Sequence, residues 1–189
     1  MRPLDLPRAN PVMNILDSRS KRQKLLAHLP WFVRSVARVE GVQRISILGS
    51  ITTEKLKPKD IDFLVMVEHS AELEPIARLG RKLKGRTGSE GGGADIFLTD
   101  TLGNYIGRTC SWKECRRGAR MSCEALNCGR RQYLYDDLQK ITLSQETIAG
   151  ALQLWPLVEK RVGLPEDLET AIVELMREQT MKPGLLKSI

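Results

Sequence analysis

The sequence predicts an α+β (α/β-like) fold: a small mixed β-sheet core packed with helices, then a four-cysteine insert and a helical C-terminal segment. Three observations carry this expectation. Apolar segments of strand length recur at 42–48, 60–67 and 94–99. Helical periodicity precedes the first of them and separates the second from the third, so the order is helix, strand, strand, helix, strand. All four cysteines fall between Cys110 and Cys128, beyond the last of these strands.

Residues 1–17 contain three prolines and little periodicity, and read as an extended arm. Ser18 or Ser20 can cap a helix through His28, with Leu25, Leu26 and Leu29 on one side. Pro30 breaks or restarts it, Phe32, Val33, Val36 and Ala37 form the next helical face, and Gly41 closes it. Val42–Leu48 alternates Ile45 and Ile47 with Arg44 and Ser46, the period of a strand. A lysine-rich turn follows, and Asp60–Val67 is apolar at every position beyond Asp62, as in a strand covered on both faces. Leu73, Ile76, Ala77 and Leu83 mark a helix ended by Gly85. The loop Gly88-Ser89-Glu90-Gly91-Gly92-Gly93 leads to a strand over Ala94–Thr99. Gln132–Tyr135 reads as a short strand and Ser144 as the cap of a helix running toward Leu154, interrupted by Pro156. Pro165 opens a final amphipathic helix through Leu168, Ile172, Leu175 and Met176, a core or dimer face.

A chain of 189 residues holds one domain with a small appendage. We divide it into a core with its N-terminal arm (1–104), a basic insert (105–135) and a helical C-terminal segment (136–189). The 41% hydrophobic and 28% charged fractions are those of an ordinary globular protein. No apolar run has membrane-spanning length and residues 1–24 lack the apolar region of a secretory signal, so a cytoplasmic protein without membrane contact is expected. The net charge of +7 favours a polyanionic partner, although solvated Lys and Arg faces give the same total.

Asp60 and Asp62 lie two apart on a predicted strand, so their side chains emerge on one face. Carboxylates held together in apolar surroundings repel unless a cation lies between them, and oxygen ligands on a rigid element suit Mg²⁺. Gly49-Ser50 follows a strand directly, where glycine lets a phosphate approach the backbone and serine supplies an N–H and a hydroxyl.

The combination of an apolar strand, Leu48-Gly49-Ser50, nine intervening residues, then Asp60-Ile61-Asp62-Phe63 resembles the signature of the polymerase-β-like nucleotidyltransferase superfamily, particularly its small bacterial members. The resemblance covers roughly 33–100 and implies that residues 1–104 form a nucleotidyltransferase core. In that family a third carboxylate sits on a later strand beside the Asp pair. The matching residue is Asp95; the rival, Asp100, falls at the strand end and on the opposite face, five positions away. The resemblance further implies that Asp60 and Asp62 hold two Mg²⁺ ions, that Asp95 completes the ion activating the acceptor hydroxyl, and that Gly49 and Ser50 hold the phosphates of an NTP substrate. Attack on the α-phosphate would then release pyrophosphate. Small members of the family often carry an arginine just after the Gly-Ser, where this chain has Ile51-Thr52-Thr53.

Cys110-x4-Cys115 and Cys123-x4-Cys128, separated by seven residues, form a pair of pairs suited to a structural tetrahedral Zn²⁺; buried free thiols, a redox role and an iron–sulfur cluster are the other readings. From Arg108 to Arg131 there are seven cations against two acids, most of the chain's positive excess. Lys113, Arg116, Arg117, Arg120, Arg130 and Arg131 are the candidate polyanion contacts, with Trp112, Tyr105 and Tyr133 available for base stacking. The same cations would offset the charge of a four-thiolate zinc centre. His28 and His69 receive no role.

The expected function is Mg²⁺-dependent transfer of a nucleoside monophosphate from an NTP to a hydroxyl acceptor: a nucleic-acid end, a protein or a small molecule. The alternative is a catalytically inactive protein of the same fold that binds nucleic acid through a zinc-stabilised basic patch. Some small relatives act beside a toxin or antitoxin partner, which the resemblance permits, and a homodimer through the last helix is the third expectation.

Overall fold

Every second residue of Asp60–Val67 is apolar and wholly buried: Ile61, Phe63, Val65 and Val67 are at most 1% exposed. That row faces a layer of helices and sets the architecture. The computed structural model describes residues 20–115, 131–135 and 141–180. Its sheet has six strands: β1 (Val42–Leu48), β2 (Asp60–Val67), β3 (Gly93–Thr99), β4 (Tyr105–Thr109), β5 (Leu134–Tyr135) and β6 (Leu152–Trp155). They lie in the order β5-β4-β3-β2-β1-β6. Among the described residues only β2 and β3 pair in parallel; the other neighbouring pairs are antiparallel. This is the predicted mixed-sheet α+β fold.

Among the described residues five α-helices accompany the sheet: α1 (Lys21–Leu26), α2 (Leu29–Val36), α3 (Glu74–Ser89), α4 (Gln145–Ala149) and α5 (Glu166–Thr180). Ser20 caps α1 in a capping box with Gln23, satisfying backbone donors that would otherwise be open. Pro30 sits in the first turn of α2, where no intrahelical N–H is needed. Phe32 of α2 meets Phe63 of β2 with ring centroids 4.4 Å apart at the centre of the core. Leu168, Ile172 and Leu175 of α5 belong to the same core, whereas Met176 is exposed. The other sheet face is only partly covered. There Leu48, Leu64 and Phe97 pack against Ile148 and Ala151, with Tyr105, Ile141 and Leu143 at the margin. The coverage predicted for both faces of β2 is therefore complete on the helical side alone.

Four boundaries differ from the sequence reading. Helix α3 continues past Gly85 to Ser89, because Thr87 is fully buried and its hydroxyl donates to the Leu83 and Lys84 carbonyls. The predicted glycine loop accordingly starts as helix and ends as strand. The helix capped by Ser144 stops at Ala149, and Leu152 and Leu154 become buried residues of β6 on the free edge of β1. Strand β4 was not foreseen; it forms a hairpin with β3 across the turn at 100–104. Finally, the predicted insert supplies β4 and β5 and the predicted helical tail supplies β6, so one sheet runs through all three segments. Strand β5 falls within the predicted Gln132–Tyr135 segment; pairing along open sheet edges, not local pattern, produced β4 and β6. Among the described residues, no helix is long and apolar enough to cross a membrane.

Candidate functional site

Parallel pairing of β2 with β3 places Asp60 opposite Gly93 and Asp62 opposite Asp95. Antiparallel pairing with β1 places Asp62 opposite Leu48, immediately before the Gly49-Ser50 turn. Asp62 is thus flanked by the turn on one side and Asp95 on the other, all on the sheet face away from α3. Gly49 has φ +82°, a conformation L side chains rarely adopt, and a Cβ there would stand 3.2 Å from Asp62 Oδ2. Gly93 likewise makes room: a Cβ at that position would collide with Asp60 Oδ1. The Asp95 N–H donates to Asp62 Oδ1 at 3.2 Å. Burial, opposed by that hydrogen bond and reinforced by the charges of Asp95 and Asp60, pushes the Asp62 carboxyl up to about 7.

The side chains do not converge on one point. Asp60 lies over Gly93, and Asp95 Oδ1 is 3.5 Å from the Arg108 guanidinium. Among the described residues, no group of three His, Cys, Asp or Glu side chains is arranged to hold a metal ion. The donor chemistry nevertheless fits a hard cation. It consists of oxygen ligands only, on adjacent strands, with one carboxyl whose ionisation is disfavoured until positive charge arrives. Mg²⁺ needs only one or two protein carboxylates beside phosphate and water.

Residues 9–104 match the model of a family of unknown function, DUF6932. The chain belongs to that family. No curated protein and no solved structure matches it. The segment shared with DUF6932 contains the Gly49-Ser50 turn and all three carboxylates but ends before Arg108 and the cysteines.

Asp100, the rival third carboxylate, caps the turn between β3 and β4. Its carboxylate accepts from the Leu102 and Asn104 N–H groups and the Asn104 side chain. Desolvation pushes its carboxyl up, but these bonds together outweigh it and hold the carboxyl below the ordinary value.

Two residues in this region were missed from sequence. Arg108 was counted with the basic insert, yet the register of β4 opposite Phe97 brings it beside Asp95 and over the Tyr135 ring, 5.2 Å from its centroid. Its placement depends on β4, which the sequence reading lacked. Arg22, on α1, is 5% exposed. Its Nε meets both oxygens of Asp167 at 2.9 and 2.8 Å, its Nη2 donates to the Ile51 carbonyl at 2.6 Å, and its Nη1 donates to the carbonyls of Thr53 and Lys55. One guanidinium therefore ties the backbone just after Ser50 to α5. A signal existed: Arg22 stands three, four and seven residues before Leu25, Leu26 and Leu29, on the apolar face of its helix.

The residues standing where an arginine was expected have other work. Ile51 is fully buried beneath the turn. The Thr52 and Thr53 hydroxyls donate to the carbonyls of Gly49 and Ser50, each at 2.9 Å, bracing the turn from within.

Cys110 and Cys115 are free thiols, the first buried. Both are bonded to Tyr133, which has φ +60°: the Cys110 N–H donates to the Tyr133 carbonyl at 2.7 Å, and the Tyr133 N–H donates to Cys115 Sγ at 3.1 Å. Cys123, Cys128, Arg116, Arg117, Arg120 and Arg130 lie outside the described residues. Arg131 is directed to backbone, donating to the Glu68 and Ala71 carbonyls, and burial lowers its pKa. Tyr105 packs against Phe97, and the Tyr133 hydroxyl donates to the Lys113 carbonyl. Of the three aromatics offered for base stacking, Trp112 is the most exposed, at 47%.

Proposed function

We propose that the chain is a Mg²⁺-dependent nucleotidyltransferase. The observation that carries the reading is the row formed by Gly49, Asp62 and Asp95 on three adjacent strands or their ends, with Asp60 one step along β2 on the same face. Mg²⁺ held by Asp60, Asp62 and Asp95 would offset phosphate charge and orient the acceptor oxygen for in-line attack. The rest is the work of the chain itself. The positive φ of Gly49 leaves its surface bare for a phosphate, and the Ser50 N–H and hydroxyl are donors at the same turn. The Asp95 N–H fixes one oxygen of Asp62. Arg108 supplies a cation within the row, and we assign it the charge compensation that small relatives take from an arginine after the Gly-Ser.

Incubation with each labelled NTP, Mg²⁺ and cell extract should release pyrophosphate and label an acceptor, and Asp60→Asn should reduce both by more than about 100-fold. An absence of labelled product with every nucleotide rejects the activity.

We also assign Cys110, Cys115, Cys123 and Cys128 to one structural Zn²⁺. Support comes from the way Tyr133 links the first two cysteines to the start of β5, its carbonyl accepting from the Cys110 N–H and its own N–H donating to Cys115 Sγ. Elemental analysis of freshly purified protein should return about one zinc per chain. A value near zero removes the assignment.

A further inference from the structure

The chain leaves the candidate site after Thr52 and returns to it at Asp60, and the loop between carries Lys55, Lys57 and Lys59 against one acid, Glu54. All four of these side chains are exposed. Among the described residues, no carboxylate pairs with any of the three lysines. Between them stands Leu56, 84% exposed. An exposed leucine alone carries no meaning, and lysines on a loop are commonly no more than a solvated face.

The backbone beneath these side chains sets the loop apart. The Arg22 Nη1 donates to the Thr53 carbonyl at 2.8 Å and to the Lys55 carbonyl at 3.2 Å. The Lys55 N–H donates to the Thr53 hydroxyl at 3.4 Å. Pro58 is buried, and the Lys59 carbonyl accepts from the Gly93 N–H at 3.1 Å. The loop is therefore held at its start and its end and seated at Pro58, while its leucine and its cations face water. A backbone fixed in advance lowers the ordering cost of binding a partner. Lys59 directly precedes Asp60, and the loop starts from the turn that follows Leu48, the β1 partner of Asp62. Both of its ends thus lie at the carboxylate row.

We infer that this loop docks the acceptor, and that the acceptor is the hydroxyl-bearing end of a polynucleotide strand. Lys55, Lys57 and Lys59 hold its phosphates, and Leu56 packs against its bases. Neutralising phosphates with lysine supplies most of the affinity for a polynucleotide, and leucine is among the apolar side chains that proteins press against base faces. The phosphates of an NTP already have the Gly49-Ser50 turn and give no role to a leucine. A small-molecule acceptor has no use for cations strung along the loop outside the row. A strand end meets both features, since it presents a hydroxyl to the row and a series of phosphates and bases behind it. The inference rests on nucleotidyl transfer for what happens to that hydroxyl, but the docking itself is measurable without it.

The test is binding of fluorescein-labelled oligo-dT and oligo-U to the full chain without NTP, by anisotropy, between roughly 50 and 200 mM salt. Wild type should bind, and more weakly as salt rises. Lys55→Ala, Lys57→Ala and Lys59→Ala together should lower the slope of log affinity against log salt by roughly 2, at about 0.7 per lost phosphate contact. Arginine at the same three positions should keep the slope. Leu56→Ser should weaken binding about ten-fold at unchanged slope. An oligonucleotide ending in a 3′-phosphate should bind like the hydroxyl-ended one, yet take no label from NTP and Mg²⁺. An unchanged slope in the triple alanine variant, full affinity in Leu56→Ser, or equal loop-dependent binding of polyglutamate or of anionic lipid vesicles would each overturn the proposal. Label found on a protein or small molecule, with no strand bound, rejects this acceptor and leaves the transfer standing. Loop-dependent strand binding with no label from any nucleotide rejects the transfer and leaves the docking surface standing. All four substituted side chains are exposed, so loss of fold does not account for the expected changes.

Discussion

Asp62→Asn is expected to make the protein more stable at alkaline pH and to abolish the proposed nucleotidyl transfer. The Asp62 carboxyl has an ordinary value of 3.8 and stands at about 7 in the folded chain. The folded state therefore binds the proton more tightly than the unfolded state, and stability falls as pH rises. Below about pH 4 both states are protonated and the group contributes nothing. Between about 4 and 7 the penalty accumulates, and above about 7 it is fully present. At about 1.4 kcal/mol per pH unit, the wild type loses on the order of 4 kcal/mol across that window. Asparagine removes the charge and keeps an oxygen to accept the Asp95 N–H.

Urea denaturation at about pH 5 and about pH 8 should show the wild type weakening and the variant nearly level. Equal pH slopes for the two proteins would remove the electrostatic account of the site. The same repulsion favours a cation. Mg²⁺ or Mn²⁺ at about a hundred times its dissociation constant should stabilise the wild type by about 2.7 kcal/mol at pH 8 and leave Asp62→Asn unmoved. At pH 5 the proton competes with the metal and the wild-type gain should shrink. A residue that costs stability yet occupies the centre of the row is what a binding or catalytic role predicts and a structural role does not.

The second large effect belongs to Arg22. Arg22→Met keeps the apolar stem packed on the core but leaves the Asp167 carboxylate and the carbonyls of Ile51 and Thr53 without their donor. Asp167 is only 23% exposed at its side chain, so water compensates poorly. Removing one member of a buried ion pair costs about 3–5 kcal/mol, and we expect a loss in that range in urea or thermal unfolding. Arg22→Lys should recover little, because an ammonium cannot bridge a carboxylate and three carbonyls in fixed directions. Adding Asp167→Leu to Arg22→Met should return part of the loss by removing the stranded charge. A loss below about 1 kcal/mol for Arg22→Met would show that the loop is held by other means. Because the bonded carbonyls follow Ser50 directly, Arg22→Lys should also, in the proposed transfer, raise the KM for NTP more than it lowers kcat, the mark of a positioning residue.

The carboxylate pair was readable because its logic is local. Asp60 and Asp62 share a face by strand parity, Gly49-Ser50 closes the preceding strand, and the length of each strand follows from its apolar run. The β1 and β2 boundaries agree residue for residue with that reading. Asp95 came from parity too, and its register opposite Asp62 needs only the short parallel crossover through α3. Apart from the end of α3, which Thr87 carries past Gly85, the failures are non-local. Leu152-Gln153-Leu154-Trp155 is too short to declare itself a strand after a well-capped helix, and only the open edge of β1 made it one. Arg108 entered the site because β4 pairs with β3, and Arg22 reached the Gly-Ser loop across 29 to 33 residues of sequence.

By itself, then, the sequence determined the mixed α+β class, the first three strands and the row of acidic side chains, since periodicity and parity act within one element. Tertiary structure decided which cations stand near that row, how the turn after Ser50 is held, and where the basic surface lies. Long side chains such as arginine choose partners by distance through space, and no spacing along the chain encodes that distance.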